Sequence, residues 1–320
     1  MLEIKDLKKN YGYFRALNGL TLTVGDGELF GFVGTNGAGK TTTMKICVGL
    51  LKADSGQVII DGVNTLDGGR KMRNKVGYVP DFFGVYENLT AMEYLTFFAG
   101  TYGIWGTKSN SLCEGLLELV NLSDKKDTQV DSLSRGMKQR LCLARALVHN
   151  PEILFLDEPA SGLDPKARFE LKEILKNLSG MGKTIIISSH ILPELIEMCS
   201  TLGIISHGEM KFNGSVEDAM LLSKGKVSVE ATFAGETEKA LLLLKESPFV
   251  TSPEAVGNKI TLGFNGTDDD AAGIIKNLVM HDIPLTGFTK KNENVENIFI
   301  NIMEGNEGGT AENADANVQP

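Results

Sequence analysis

Residues 34–42, Gly34-Thr35-Asn36-Gly37-Ala38-Gly39-Lys40-Thr41-Thr42, decide how this chain folds. An apolar run, Leu29–Val33, precedes them, and a run of helical character, Met44–Leu51, follows. Every position of the pattern G-x-x-x-x-G-K-T is met, in the order strand, glycine loop, lysine, hydroxyl, helix. That order is what holding a nucleoside triphosphate requires. Gly34, Gly37 and Gly39 let the backbone curl until successive N–H groups point inward, and the helix start adds the positive end of its dipole. Lys40 has the length to reach the β- and γ-phosphates, and the Thr41 hydroxyl is placed to ligate Mg²⁺. A lone glycine turn between strand and helix carries no such reading; the complete pattern in this context does.

Working outward, two further apolar runs end in chemistry. Ile153-Leu154-Phe155-Leu156 reads as a central parallel strand buried on both faces, and it ends in Asp157-Glu158-Pro159. A carboxylate at the tip of a strand beside the glycine loop is where such sites hold Mg²⁺, so Asp157 is the candidate metal ligand. Glu158 alternates to the other side of the strand and is placed to orient or deprotonate an attacking water. Thr184–Ser189 reads as a second buried strand with His190 at its tip, a candidate γ-phosphate contact. Tyr11, just after an opening strand over residues 2–9, is a candidate stacking surface for a nucleotide base. Leu133-Ser134-Arg135-Gly136-Met137 opens a helix, with Ser134 as N-cap and Gly136 permitting close approach; alone it is a capped helix.

The 320 residues suffice for one large and one smaller domain. The net charge of −9 disfavours broad nucleic-acid binding, which needs clustered Lys and Arg. Cys47, Cys113, Cys142 and Cys199 are widely spaced and read as buried thiols of a reducing compartment. The opening Met1–Lys5 is charged and strand-like, so no secretory leader is expected, and no apolar run approaches bilayer-spanning length. Strands are predicted over 20–33 (with a turn at 25–27), 57–62 and 76–79. Helices are predicted over 88–102 and 109–122, within a helical insertion at about 82–135 that starts with a cluster of Phe82, Phe83 and Tyr86. A hairpin around His207–Glu209 closes the first domain, 1–220. Residues 225–304 alternate strand and helix close to a split βαβ pattern, ending in a stripe of Val295, Ile298, Phe299 and Ile302. The acidic tail, 305–320, lacks Lys and Arg and is expected to be disordered. The fold class is therefore α/β: a parallel sheet core, an antiparallel subdomain, a helical insertion and a small α+β domain.

Taken together, residues 1–215 resemble the ATPase subunit of an ATP-binding-cassette transporter. Five motifs stand in that family's order: Gly34–Thr42 as the Walker A loop of a P-loop NTPase, Leu133–Met137 as the signature motif, Leu156–Pro159 closing Walker B, Ser161–Pro165 as the D-loop, and His190 as the switch histidine. Tyr11 matches the family's adenine-stacking aromatic. The stretch 294–299, Asn-Val-Glu-Asn-Ile-Phe, is similar to the C-terminal extension of export-type subunits. The resemblance implies hydrolysis of Mg-ATP in a head-to-tail dimer, a homodimer, with Ser134 and Gly136 of one chain closing on the ATP held by the other. It implies a multi-spanning permease docked at the helical insertion, a location on the cytoplasmic face of the membrane, and no nucleic-acid partner. Alternatives are a soluble cassette ATPase acting on ribosomes or nucleic acid, and a module that binds ATP without hydrolysis. Three positions depart from the family pattern: L-S-R-G-M stands for L-S-G-G-Q, Thr35 for a common proline, and Asp81 for the glutamine that follows Y-x-P. Asp81 can reach Mg²⁺ through water and adds negative charge beside Asp157 and Glu158, which implies slower or metal-shifted turnover.

Overall fold

In the computed structural model the chain divides into two compact units, Met1–Val216 and Glu217–Pro320. The described residues are 1–65, 74–82, 84, 88–221, 227–235 and 237–291.

The first unit is built on a six-stranded sheet. Its strands are β3 (Leu29–Val33), β6 (Val76–Val79), β7 (Ile153–Leu156), β8 (Thr184–Ser189), β9 (Thr201–Ser206) and β10 (Glu209–Ser215), in the order β10-β9-β3-β8-β7-β6. The five from β9 to β6 run parallel, and β10 pairs antiparallel at the edge. Each residue of β3, β7 and β8 is buried, which explains why these segments are apolar without alternation. Register then places the site. Val33 stands beside Ser189 and Leu156 beside Ile187, so the loop after β3, the acids after β7 and His190 all emerge at the same end of the sheet.

A second, antiparallel sheet has the order β2-β1-β4-β5, from β1 (Leu2–Tyr11), β2 (Phe14–Val24), β4 (Ser55–Ile60) and β5 (Val63–Asn64). The first hairpin is longer than its sequence pattern suggests. Tyr11 pairs with Phe14 across Gly12 and Tyr13, and register shifts along β1 break the alternation that marks a strand. One core joins both sheets: Leu2, Leu20 and Val58 pack with Phe30, Met44, Phe155 and Ile205. The helix after the glycine loop, α1, spans Lys40–Cys47 and ends before Gly49, leaving Leu50 exposed.

The helical insertion carries α2 (Ala91–Thr101), closed by a Thr90/Glu93 capping box, and α3 (Gly106–Leu119). Phe82 is exposed at its start, whereas Phe83 and Tyr86 lie outside the described residues. Helix α4 (Arg135–Leu147) follows, capped by the Ser134 side chain. Helix α5 (Pro165–Gly180) is capped by Asp164, starts on a proline whose missing N–H costs nothing there, and buries Leu171, Ile174, Leu175 and Leu178 at helical spacing. Helix α6 (Leu192–Ile196) has Pro193 in its first turn.

In the second unit, β11 (Val227–Phe233), α8 (Glu238–Lys245), β12 (Val250–Val256), β13 (Lys259–Phe264), α9 (Asp268–Met280) and β14 (Leu285–Lys291) follow a short α7 (Val216–Leu221) at the junction of the units. The sheet order β12-β13-β11-β14, all antiparallel, makes this a split β-α-β arrangement with two helices. Val229, Ala231, Phe233, Ile260, Leu262 and Phe264 form its core with Ala240, Leu244, Ile274 and Leu278. Strand β12 was not legible in sequence: it is an edge strand, mostly exposed, with Pro253 inside it. The 222–225 junction, the 295–302 stripe and the tail lie outside the described residues. Among the described residues, no helix is long and apolar enough to cross a membrane.

Candidate functional site

The glycine loop has the shape its sequence requires, for separate reasons at each glycine. Gly37 lies at φ +83° with open space around it, so conformation alone demands glycine. A Cβ on Gly34 would stand 2.6 Å from the Ile205 carbonyl oxygen, so there the demand is for space. Gly39 combines both, at φ +115° and 2.7 Å from Leu17.

Lys40 is buried, and its ammonium donates to the carbonyl oxygens of Gly34 (2.6 Å) and Thr35 (3.2 Å). It also stands 3.4 Å from Glu158 Oε1. Burial lowers its pKa, with Glu158 and Asp157 opposing the shift. The ammonium is thus folded over the loop, ready to face an anion held by the loop N–H groups.

Asp157 is buried and densely bonded. Its Oδ1 accepts from Thr41 Oγ1 (3.0 Å) and Ser188 Oγ (2.8 Å), and its Oδ2 from the Tyr78 hydroxyl (3.4 Å). Burial, followed by the Asp157 charge, pushes the Tyr78 phenol up, so it stays a donor. Ser188 also accepts from the Glu158 N–H at 2.9 Å, tying β8 to the turn after β7. Neither Ser188 nor Tyr78 was singled out in the sequence. The signal was there for Ser188, a hydroxyl directly after three isoleucines in a buried strand, but only the register shows that it lies level with Asp157.

Glu158 has φ +49°, left-handed backbone that a non-glycine residue adopts at a cost. Its Oε2 lies 2.8 Å from His190 Nδ1 while Oε1 faces Lys40. Glu158 therefore bridges the strand-end histidine and the loop lysine.

A cavity of about 230 Å³ gathers Tyr11, Phe14, Ala16, Asn36, Gly37, Gly39, Lys40, Thr41, Thr42, Asp81 and Glu158. Tyr11 and Phe14 are cross-strand partners and both are exposed, so the hairpin brings two aromatic rings to this cavity where one was expected. Asp81 lines the same cavity. Burial, then the charges of Asp157 and Glu158, raise its pKa, offset in part by Arg135 and His190. Asp157 and Glu158 thus act on Lys40, and Asp81 adds a third carboxylate whose charge they oppose. Thr41, Asp157 and Asp81 offer only oxygen, the donor set of a hard divalent cation that takes one or two protein ligands and completes its shell with phosphate oxygens and water. Among the described residues no group of three or more His, Cys, Asp or Glu side chains is gathered around a metal position.

Ser134 and Gly136 are not part of this cavity. Ser134 Oγ accepts from the Met137 N–H at 3.3 Å. Gly136 is buried against α5, where a Cβ would stand 2.6 Å from Ala167 Cβ; its smallness serves helix packing. The Arg135 guanidinium covers Gly162, within 3.0 Å of where a Cβ would be.

Comparison with known proteins adds to this geometry. Residues 17–161 match the sequence profile of the ABC transporter family. The chain is 31% identical over 304 residues to the linearmycin resistance ATP-binding protein LnrL of Bacillus subtilis, an alignment covering 94% of this chain and 98% of that one. It is 40% identical over 214 residues to the Nod factor export ATP-binding protein I of Burkholderia lata, covering 67% and 70%. Among solved structures, an ATP-binding subunit of an ABC transporter superposes with a TM-score of 0.62 at 32% identity, over 69% of this chain and 92% of that one. The ATP-binding cassette MJ0796, dimeric in a post-hydrolysis state with ADP and Pi, superposes with a TM-score of 0.62 at 27% identity, over 68% and 99%.

Proposed function

The chain belongs to the ABC transporter family, and from that membership we propose that it holds Mg-ATP between two copies of itself and drives export through a separate membrane permease. It is the ATP-binding subunit of such a transporter, an ATPase whose hydrolysis is coupled to transport. Subunits of this family work as dimers with a membrane permease. That the dimer is a homodimer, that transport is outward and that the chain sits on the cytoplasmic face are our readings. Outward transport is supported by a relative named for Nod factor export and another named for resistance. The same relatives favour a transporter partner over ribosomes or nucleic acid.

The residues act as follows in this reading. Tyr11 and Phe14 cover the base. The loop N–H groups from Gly34 to Thr42 and the Lys40 ammonium hold the phosphate chain. Thr41 and Asp157, already 3.0 Å apart, would hold Mg²⁺, with the Asp81 carboxylate nearby in the same cavity. When bound, Mg²⁺ neutralises phosphate charge during transfer. A γ-phosphate within reach of Lys40 competes with Glu158 for the ammonium, and the Glu158 carboxylate then faces water. His190 fixes its direction at 2.8 Å. Glu158 takes the water's proton, and His190 contacts the departing phosphate. Ser134, at the exposed start of α4, closes on the nucleotide held by the second chain.

The single observation carrying this proposal is the continuous chain Asp157–Thr41, Lys40–Glu158, Glu158–His190 at the ends of adjacent parallel strands. Its test is Glu158→Gln. Phosphate release falls by about 10²- to 10⁴-fold, as for loss of a general base, while equilibrium ATP binding persists and the ATP-bound dimer accumulates by light scattering. Unimpaired hydrolysis in this variant would remove Glu158 from the mechanism.

A further inference from the structure

We propose that Arg168 and Glu194 are positioning residues which lock the Ser161–Pro165 loop to the His190 loop, so that the two loops hold Glu158 as one unit. The inference rests on the reading above, in which Glu158 and His190 act on water and phosphate.

The contacts form a closed ring. Arg168, one turn into α5, donates from Nη1 to Glu194 Oε1 at 2.9 Å. Its Nη2 points to the Leu163 carbonyl oxygen at 3.4 Å, inside the loop after β7. The second oxygen of Glu194 accepts from Ser189 Oγ at 3.5 Å, and that hydroxyl in turn accepts from the Ile191 N–H at 3.0 Å. Ser189 is the last residue of β8, and the next residue is His190, 2.8 Å from Glu158. From Glu158 the ring closes through the Ser161 N–H, which donates to the Glu158 carbonyl at 3.1 Å, and the Leu163 N–H, which donates to that of Ala160 at 3.3 Å.

Two features separate this from an ordinary surface ion pair, which contributes little. The Glu194 side chain is only 9% exposed, so it depends on its partners. The Arg168 side chain is 42% exposed, but its guanidinium is shared between two acceptors, the Glu194 carboxylate and the Leu163 carbonyl, so it joins two loops rather than one pair of side chains. Neither side chain lines the nucleotide cavity. Their contacts reach toward the reaction through Ser189, next to His190, and through Leu163, in the loop that follows the acids.

The test uses steady-state ATP hydrolysis by the full chain. In Glu194→Gln, kcat falls by roughly 10- to 100-fold, the scale of a sub-ångström to 1 Å misplacement of a catalytic group. KM for ATP stays within about twofold, because the phosphate cradle is untouched. Arg168→Gln behaves the same way, Arg168→Lys recovers part of the loss, and the Arg168→Gln/Glu194→Gln double variant is no worse than either single one. Ser189→Ala leaves the ion pair in place and still lowers kcat, which keeps the proposal testable should the charge variants fail to fold. An unchanged kcat in Glu194→Gln or in Ser189→Ala overturns it. So do additive losses in the double variant, or kcat and KM moving together with the thermal midpoint. A wild-type chain without hydrolysis, by contrast, would undo the reading of the site itself.

Discussion

Gly136→Ala sets two physical effects against each other. Inside a helix, replacing glycine by alanine stabilises by about 0.4–1 kcal/mol through the unfolded chain. At Gly136 the new Cβ would stand 2.6 Å from Ala167 Cβ, where carbon atoms settle at about 3.5–4.0 Å. The shortfall is roughly 1 Å, and both atoms are fixed directly to backbone, so no rotamer change relieves it. Helix α4 or α5 must shift, which costs about 1–3 kcal/mol. The net expectation is a loss of about 1–2 kcal/mol, or roughly 2–8 °C in thermal midpoint for a unit of this size. Gly115 in α3 is the control, since a Cβ there meets nothing within 4 Å; Gly115→Ala should gain up to about 1 kcal/mol. Trp105, the chain's one tryptophan, lies in the first unit and reports its unfolding by fluorescence in urea and on heating. A Gly136→Ala midpoint at or above wild type, with Gly115→Ala raised, would refute packing as the reason for glycine at 136.

Three further outcomes are expected. Tyr11→Ala removes one face of base stacking, worth about 1–3 kcal/mol, so KM for ATP rises roughly 5- to 150-fold with kcat nearly unchanged, read from initial rates. Asp81→Gln removes one of three converging carboxylates; the Mg²⁺ dependence of hydrolysis should shift and turnover rise, and identical Mg²⁺ titrations of the two proteins would count against a role for Asp81 at the metal. His149 donates from Nε2 to the Val76 carbonyl (2.9 Å) and stacks on Tyr102. Burial depresses its pKa below the ordinary 6.5, so the native state binds fewer protons than the unfolded chain. Its stabilising contribution is full above pH 6.5 and is lost as pH falls through the folded value, and His149→Gln should flatten the slope of unfolding free energy against pH in that window.

The glycine loop, the Asp157–Glu158 pair and His190 could be singled out in sequence because each follows a largely apolar run too short for a helix. Leu29–Val33, Ile153–Leu156 and Thr184–Ser189 are buried on both faces, and chemistry can begin only where such strands reach the surface. The order of those strands was not legible. Strand β3 lies between β8 and β9, far along the chain, and local patterns carry no trace of that pairing. Ser188 and Tyr78 were missed for the same reason, since each becomes informative only when the sheet order brings it beside Asp157.

Gly136 poses a different question. Its residue type suits both a ligand approaching a helix end and a second helix lying against it, and Ala167 supplies the second of these reasons. The distinction bears on how the two halves of a site are built. Ser134 is exposed at the start of α4 and outside the cavity that contains Lys40, so a nucleotide it touches must be held by another chain. The packing of Gly136 on α5 then fixes that hydroxyl to the helix carrying Arg168, and so to the loop beside Glu158. In the proposed dimer, a Ser134 that engages the neighbouring nucleotide is joined through this packing to the proposed water-activating end of its own site, the connection a dimer needs if its two sites are to act together.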